Sequence, residues 1–373
     1  MKSILKTWFL ETWFLETRSG MNRHDVDWWG YWVAAPTPFG PRGELDPAAL
    51  SALMTLYAEQ GVDGVLVNGS TGEWFSQTPA ERHEVATTAV AAIDGRMPVV
   101  VGVSAYTPAE AAGLARQAEA AGADGVLATP PPYAHLAPDE IVEFYREVSQ
   151  ATALPFIVYN WPRGVSVDLG RYPGLLGRLA ALDRVVAIKD STGDWLGMLD
   201  TVEELAEQVR VFGSFLHRRG LAVLLGLGGD GNIDGGGLGA PFAVPYYEAV
   251  RAGDHAAAAR WAARYAGLSG RLIRPDYSGV FASPVPQLKA AMRMLGQPAG
   301  PVRRPLLDVT SPELLAGIQA VLDESGLVDA LGAGPLGAPG PPGAGPLGAG
   351  TPDATAASLG AAGPSDATAG APR

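Results

Sequence analysis

The chain contains no cysteine among its 373 residues, and this absence excludes several kinds of site. A disulfide scaffold, a thiolate zinc site, an iron–sulfur cluster and a cysteine nucleophile all require the missing thiol. Histidine is also scarce. The five histidines are scattered, without the i, i+4 pairs or clusters that are typical of a metal site. We therefore expect no metal centre, and we interpret the histidines as solvated polar residues.

Basic residues are in deficit, with 27 Lys and Arg against 39 Asp and Glu and a formal net charge of −12. A surface of this sign repels phosphate backbones and anionic lipid, and no local basic patch compensates for it. No apolar run approaches the ~20 residues that a membrane span needs. We expect no nucleic-acid partner, no membrane partner and a cytoplasmic location.

The two ends of the chain differ from the rest. The pentapeptide TWFLE occurs at residues 7–11 and again at residues 12–16, and its glutamates interrupt the apolar run too early for a signal peptide. We predict that residues 1–27 are an artefact or a disordered leader. Residues 331–373 are almost entirely Gly, Ala, Pro, Ser, Thr and Leu without an apolar period, and we predict a disordered tail there.

Short apolar segments alternate with helical segments through the middle of the chain. Apolar runs without internal alternation, such as VVVGV and VVAI, are typical of strands buried on both faces of a parallel sheet. Helix-start signals, in which Thr precedes Pro, favour helices between them, and one further helix is predicted over Val202–Val209. The eight predicted strands are Tyr31–Phe39, Gly64–Ser70, Pro98–Ser104, Gly125–Pro130, Pro155–Pro162, Val185–Ser191, Val209–Ser214 and Gly231–Gly236.

Eight consecutive β/α units favour an α/β fold of the closed (β/α)8 TIM barrel type over an open doubly wound sheet, which stays as the alternative. We assign the barrel to residues 28–250. Residues 251–330 have helical periodicity and should form a C-terminal helical subdomain. The glycine-rich run at residues 226–239 comes too late in the chain for a dinucleotide-binding loop, which follows a first strand.

Lys189 is the residue that most strongly indicates a catalytic role. In a TIM barrel the active site lies at the C-terminal ends of the strands, and Lys189 follows the apolar run Val185–Ile188 at such an end. Burial there lowers the pKa of the amine, and a neutral amine attacks ketones to give an imine. A structural ion pair with Glu73 or Asp190 is the alternative.

Tyr159 ends another apolar strand, where its phenol can relay protons if a second hydroxyl group, from Ser70 or Thr71, is bonded to it. A packed aromatic ring with a satisfied hydroxyl group is the alternative. Gly69 and Gly72 flank the two hydroxyl residues. They let the backbone turn tightly and leave N–H groups free to bind a carboxylate oxygen.

Taken together, these residues resemble the dihydrodipicolinate synthase and N-acetylneuraminate lyase superfamily, over about residues 30–328. The matching segments are Pro36–Phe39, Gly69–Glu73 (GSTGE), Pro130–Tyr133, Tyr159–Pro162 (YNWP), Ala187–Asp194 (AIKDSTGD), Pro284–Gly296 and Arg304–Leu306. The resemblance implies a class I lyase or aldolase. In such an enzyme Lys189 forms a Schiff base with pyruvate or another 2-oxo acid, a C–C bond is made or broken, and no cofactor is required.

The resemblance also implies roles for neighbouring residues. Tyr159 moves protons to and from the imine, and Ser70 stands where the family usually has a relay threonine. Thr71 matches the position that binds the pyruvoyl carboxylate. Tyr133 aligns with the tyrosine that reaches into a neighbouring subunit's site, which implies a homo-oligomer, either a tetramer or a dimer.

Departures from the family pattern concern the second substrate. Gly164 stands where the lysine-biosynthesis enzymes have a carboxylate-binding arginine, while Arg163 comes one place early. Either Arg163 takes that role or the partner substrate differs, and we favour a different substrate. Asp234 puts a carboxylate near the rim of the site, where it binds a hydroxyl group or amine of the acceptor or is merely a solvated loop residue.

Two other functions stay open at this point. The same imine serves for dehydration of a deoxy-keto sugar acid in some relatives. A non-catalytic barrel that binds a 2-oxo acid is the third hypothesis.

Overall fold

The computed structural model describes residues 20–332, and within them eight strands form a closed parallel barrel in chain order. The strands are β1 (Gly30–Ala34), β2 (Gly64–Val67), β3 (Val99–Gly102), β4 (Gly125–Ala128), β5 (Phe156–Asn160), β6 (Val185–Asp190), β7 (Arg210–Phe212) and β8 (Gly231–Gly235). The pairing of β8 with β1 closes the barrel. The predicted TIM barrel is therefore confirmed, and the open sheet is wrong.

Helices form the layer around the barrel and continue beyond β8. They are α1 (Pro47–Glu59), α2 (Pro79–Ile93), α3 (Pro108–Ala120), α4 (Pro138–Gln150), α5 (Pro162–Val165), α6 (Leu175–Ala180), α7 (Trp195–Leu205), α8 (Arg218–Gly226), α9 (Ala240–Arg251), α10 (His255–Leu272), α11 (Pro284–Met294), α12 (Pro312–Glu324) and α13 (Leu327–Gly332). Short 3-10 helices lie at Arg23–Asp25, Trp74–Ser76 and Leu169–Arg171. In the part of the chain that the structure describes, no helix combines the length and the apolar composition needed to cross a membrane.

Helix α7 differs from the prediction for this region. The segment predicted as helical, Val202–Val209, covers only the end of the helix, which begins at Trp195. The side chain of Asp194 caps that start, because it accepts a hydrogen bond from the backbone N–H of Leu196 (3.1 Å). Helix α13 likewise runs two residues into the predicted tail, as far as Gly332.

Two tryptophan rings fill much of the barrel interior. Trp28 and Trp32 are almost fully buried and meet edge to face, with ring centroids 5.5 Å apart. Glycines on neighbouring strands make room for them. A Cβ at Gly64 would lie 2.5 Å from the Trp32 ring, and one at Gly125 would lie 2.6 Å from the Trp28 ring. The interior is therefore a packed core, as in other barrels of this type, rather than a channel.

The segment at residues 20–27 packs across the N-terminal end of the barrel. Arg23 donates a hydrogen bond to the buried carboxylate of Asp230 (3.0 Å), directly before β8. These residues belong to the fold, so the predicted leader is wrong for this segment. The remainder of the predicted leader, residues 1–19, and most of the predicted tail, residues 333–373, lie outside the described residues.

Helix α11 is joined to the opposite end of the barrel by a buried ion pair. The ammonium group of Lys289 donates to the carboxylate of Glu73 (2.5 Å) and to the carbonyl groups of Thr37 (2.7 Å) and Pro301 (2.9 Å). Glu73 has a φ of 57°, which is the left-handed region, and it directly follows the turn at Gly69–Gly72. The ion pair therefore anchors that turn at the mouth of the barrel.

Candidate active site

Lys189 and Tyr159 lie side by side at the C-terminal ends of β6 and β5. The two residues are paired in the parallel ladder, so their side chains project to the same face of the sheet. The Lys189 Nζ is 4.3 Å from the centroid of the Tyr159 ring, and each residue is only 6% exposed. The structure thus brings together the two residues that the sequence singled out for chemistry.

The amine of Lys189 is suited to act as a nucleophile. Burial lowers its pKa to about 8, although the negative charge of Asp234 opposes this change. At that pKa the neutral fraction of the amine near neutral pH is far larger than that of an exposed lysine. The neutral form is the one that attacks a carbonyl carbon.

The alternative of a structural ion pair at Lys189 does not hold. Glu73 is paired with Lys289 instead, at the outer side of the mouth. Asp190 lies next to Lys189 in the strand but accepts a hydrogen bond from the hydroxyl group of Thr201 (2.9 Å). Both carboxylates are therefore held by other residues.

Tyr159 is kept neutral by its surroundings. Burial raises its pKa, while a hydrogen bond with the side chain of Ser191 and the charge of Arg163 lower it. Trp161 stacks on the phenol ring, with centroids 5.8 Å apart and an interplanar angle of 6°. The sequence indicated Ser70 or Thr71 as the hydroxyl partner of Tyr159. It did not indicate Ser191, although Ser191 lies two residues after Lys189 in the segment Ala187–Asp194.

The turn at Gly69–Gly72 provides free hydrogen-bond donors. Within residues 20–332, the backbone N–H groups of Ser70 and Thr71 have no protein acceptor. The carbonyl group of Gly72 accepts a hydrogen bond from the hydroxyl group of Thr37 (2.8 Å), which helps to hold the turn. Adjacent free N–H groups of this kind form a binding place for an anion.

Arg163 lies at the rim beside the stacked rings. Its guanidinium carbon is 4.3 Å from the centroid of the Tyr277 ring, and it donates a hydrogen bond to the carbonyl group of Ser191 (2.7 Å). A side chain at Gly164 would clash with its neighbour, because its Cβ would lie 2.1 Å from the Trp161 ring. Trp161 therefore occupies the place that a longer residue at position 164 would need.

Tyr277 is a site residue that the sequence did not reveal. It lies in the loop between α10 and α11, has a φ of 68°, and lines the cavity beside β8 while its ring contacts Arg163. Burial and the charge of Asp234 raise the pKa of Tyr277. A negative charge on the Tyr277 phenol would in turn raise the pKa of Tyr159. No motif surrounds Tyr277, so only the folded arrangement brings it to the site.

Asp234 is not a solvated loop residue, because it lies in β8 and its carboxylate is hydrogen-bonded. The hydroxyl group of Tyr265 and the amide of Asn232 (3.4 Å) both donate to it. Burial raises the pKa of Asp234, whereas these bonds and the charge of Lys189 lower it. The residue lines a cavity of about 370 Å³ between β8 and helices α10 and α11.

Tyr133 points out of the site of its own chain. It is 94% exposed and has a φ of 78°, a conformation that is uncommon for a bulky side chain. Other aromatic residues are exposed on neighbouring loops of the same end of the barrel. Phe75 and Tyr106 both contact Trp74, with ring centroids 6.5 Å and 6.2 Å from its ring.

One histidine differs from the prediction that the histidines are solvated. His217 is partly buried and caps α8, because its Nδ1 accepts a hydrogen bond from the backbone N–H of Gly220 (3.1 Å). Across the described range, no group of three or more His, Asp or Glu side chains is arranged to hold a metal ion.

Comparison with known proteins gives consistent matches over the same range. Residues 28–322 match the model of the dihydrodipicolinate synthetase family. A DapA-like lyase from Rhizobium meliloti is 33% identical over 294 residues, which are 76% of this chain and 91% of the relative. The Escherichia coli (strain K12) protein named "Probable 2-dehydro-3-deoxy-D-pentonate aldolase" is 32% identical over 292 residues, or 77% of this chain and 93% of the relative.

Solved structures agree with these matches. The dihydrodipicolinate synthase from Bacillus anthracis superposes with a TM-score of 0.72 at 25% identity, covering 80% of this chain and 98% of the other. The likeness extends over the barrel and the helices that follow it.

Proposed function

The chain belongs to the dihydrodipicolinate synthetase family of Schiff-base-forming lyases, and on that premise we propose that Lys189 forms the imine with pyruvate or another 2-oxo acid. The observation that carries this proposal is the buried Lys189 amine, with a pKa of about 8, against the ring of Tyr159. Lys189 is the residue in the mouth whose chemistry matches the reaction of the family.

Imine formation begins with attack of the neutral Lys189 amine on the 2-oxo carbon of the substrate. The resulting carbinolamine loses its hydroxyl group as water after gaining a proton, and the protonated imine remains. Tyr159 is the proton carrier in our proposal, since its phenol is neutral and hydrogen-bonded to Ser191.

The substrate carboxylate is bound by the turn that follows β2. The N–H groups of Ser70 and Thr71 have no protein acceptor within residues 20–332, and they are available to a carboxylate oxygen. The hydroxyl group of Thr71 adds a further donor. Gly69 and Gly72 permit the turn, and the Glu73 anchor holds it rigid.

Carbon–carbon bond formation uses the imine as an electron sink. Loss of a proton from the carbon next to the imine gives an enamine, which attacks the carbonyl carbon of an aldehyde. The new C–C bond forms while the carbonyl oxygen gains a proton, and water then hydrolyses the imine to release the product and the Lys189 amine. Cleavage is the reverse sequence.

Of Arg163 and Asp234, we assign Asp234 to the binding of the second substrate. Arg163 is already engaged with Tyr277 and the carbonyl group of Ser191, which supports a role in holding the rim. Asp234 faces a cavity and is available to a hydroxyl group or an amine.

We also propose that the protein is a homo-oligomer. The support is Tyr133, because a bulky exposed residue in the left-handed region is strained unless something stabilises it. Insertion of its ring into a neighbouring subunit would provide that contact, and the exposed aromatic residues Phe75 and Tyr106 lie at the same end of the barrel. The cytoplasmic location stays a prediction from composition.

Deuterium exchange tests the proposed chemistry without an acceptor. The protein is incubated with pyruvate in D2O, and loss of the methyl proton signal is followed by NMR. Enamine formation predicts exchange that requires Lys189 and is absent from K189A. A folded wild-type protein that exchanges neither pyruvate nor any other 2-oxo acid would contradict the proposal.

A further inference from the structure

Most of the surface of the cavity beside β8 is apolar, although polar side chains also line it. Its volume is about 370 Å³, and its walls include Leu216, Leu268, Leu272 and Leu288. A space of this size accommodates a small organic molecule. Because buried apolar walls favour apolar ligands, most of that molecule's surface should be hydrocarbon.

The described side chains around the cavity disfavour an anionic ligand. None of the described residues that line it is Lys or Arg, and Asp234 is the acidic one. His217 also lines the cavity, but burial lowers its pKa, so it is not a ready source of positive charge. A carboxylate placed here would be repelled by the charge of Asp234, and none of the described lining residues is a Lys or Arg that could bind it directly.

Asp234 retains capacity for a ligand. A carboxylate has about four lone-pair sites, and the bonds from Tyr265 and Asn232 use two of them. A hydroxyl or N–H group on the ligand would fill another site and would be oriented by it. Asp234 is the charged group that would fix the direction of the ligand, in a cavity that hydroxyl and amide side chains such as Ser269 and Gln287 also line.

The cavity adjoins the site of imine formation. Asp234 and Lys189 are close enough to affect each other's ionisation. Thr71 of the turn and Tyr277 of the loop between α10 and α11 line the same cavity. A molecule bound there therefore lies next to the carbon that the Lys189 enamine would present.

We propose that this cavity binds the acceptor aldehyde and selects a neutral, mainly apolar molecule whose hydroxyl or N–H group bonds to Asp234. The inference rests on the proposed function, because an acceptor has a role only if Lys189 forms the enamine. It separates this chain from enzymes whose acceptor carries a carboxylate.

Three rigid aldehydes of similar size provide the test. Benzaldehyde, meta-hydroxybenzaldehyde and meta-formylbenzoate are each mixed with pyruvate and the full chain, and kcat/KM for C–C bond formation is measured. We expect the hydroxy compound to be the best acceptor and to exceed the carboxylate by about tenfold or more. A preference for the carboxylate overturns the inference.

A cavity-filling variant gives an independent result. Leu288 is partly exposed and lines the cavity, so L288W should raise KM for the aromatic acceptors by a larger factor than it raises KM for pyruvate in the D2O exchange. Leu314 on α12 is 38% exposed and does not line the cavity, so L314W is the matched control. Equal KM values for the two variants would place the acceptor elsewhere and contradict the inference.

Failure of the proposed function can be distinguished from failure of the acceptor inference. If wild-type protein does not exchange pyruvate, the proposed function fails. If exchange occurs but no neutral acceptor is joined to pyruvate, the inference alone is wrong and Lys189 keeps its role.

Discussion

The Glu73 carboxylate and the Lys289 ammonium form a buried ion pair at 2.5 Å, between residues 216 positions apart in the chain. Both side chains are fully inaccessible to solvent, and one more hydrogen bond reaches Glu73 from the backbone N–H of Arg303 (2.9 Å). The pair links helix α11 to the turn that we propose as the binding place of the substrate carboxylate. On that proposal, stability and substrate binding depend on the same contact.

Replacement of Lys289 by methionine should destabilise the protein and loosen that turn. Removing one partner leaves the Glu73 charge buried without compensation, which costs about 3–5 kcal/mol. Denaturant unfolding measures this loss, and KM for pyruvate should rise in the folded fraction. The control is R178M, which breaks an exposed pair with Asp139 and should cost about 1 kcal/mol or less. Equal effects of the two variants would contradict the anchoring role.

Replacement of Tyr159 by phenylalanine should slow proton transfer without preventing substrate binding. Loss of a positioned proton carrier lowers the rate by about 10²–10⁴-fold. The measurement is kcat for pyruvate exchange in D2O, with KM as the second readout. Tyr172 is partly exposed and outside the mouth, so Y172F serves as a control. A Y159F protein with wild-type kcat would remove Tyr159 from the mechanism.

The rate of imine formation should rise with pH through the pKa of Lys189. Only the neutral amine attacks, and burial lowers the pKa of this group to about 8, so kcat/KM for pyruvate should increase from pH 6 and level off above pH 8. The charge of Asp234 raises the pKa of Lys189, so D234N should shift the rise to lower pH. A profile that stays flat over this range, or a shift to higher pH in D234N, would be inconsistent with the assignment.

Substitution of Gly164 by alanine should be costly because of Trp161. The added Cβ would lie 2.1 Å from the indole ring, and overpacking of this kind costs about 1–3 kcal/mol. The double variant W161V/G164A should recover most of that loss, since valine vacates the space. Thermal unfolding of the two single variants and the double variant gives the coupling free energy between positions 161 and 164. Strictly additive effects would show that the two residues do not compete for space.

Much of the barrel could be predicted because its strands are buried on both faces and are therefore uniformly apolar. The same property identified Lys189 and Tyr159, since a polar group at the end of such a strand stands out. The start of α7 was missed because Asp194, which caps it, was interpreted only as part of a motif. Local sequence patterns are thus sufficient to predict strands where burial on both faces requires apolar residues.

Contacts between distant segments could not be predicted in this way. Glu73 was considered as a partner for Lys189, whereas the fold gives it Lys289, which lies in a helix beyond the barrel. Tyr277 reaches the mouth from a loop with no motif. The steric relation of Trp161 and Gly164 depends on ring orientation, which sequence spacing does not reveal.

The most direct test of the account is borohydride trapping with pyruvate, followed by peptide mass spectrometry. A reduced pyruvate adduct is expected on the peptide that contains Lys189, and none on Lys289, whose amine is fully buried in an ion pair. An adduct on another lysine, or none on folded protein with pyruvate or any other 2-oxo acid, would contradict the central claim.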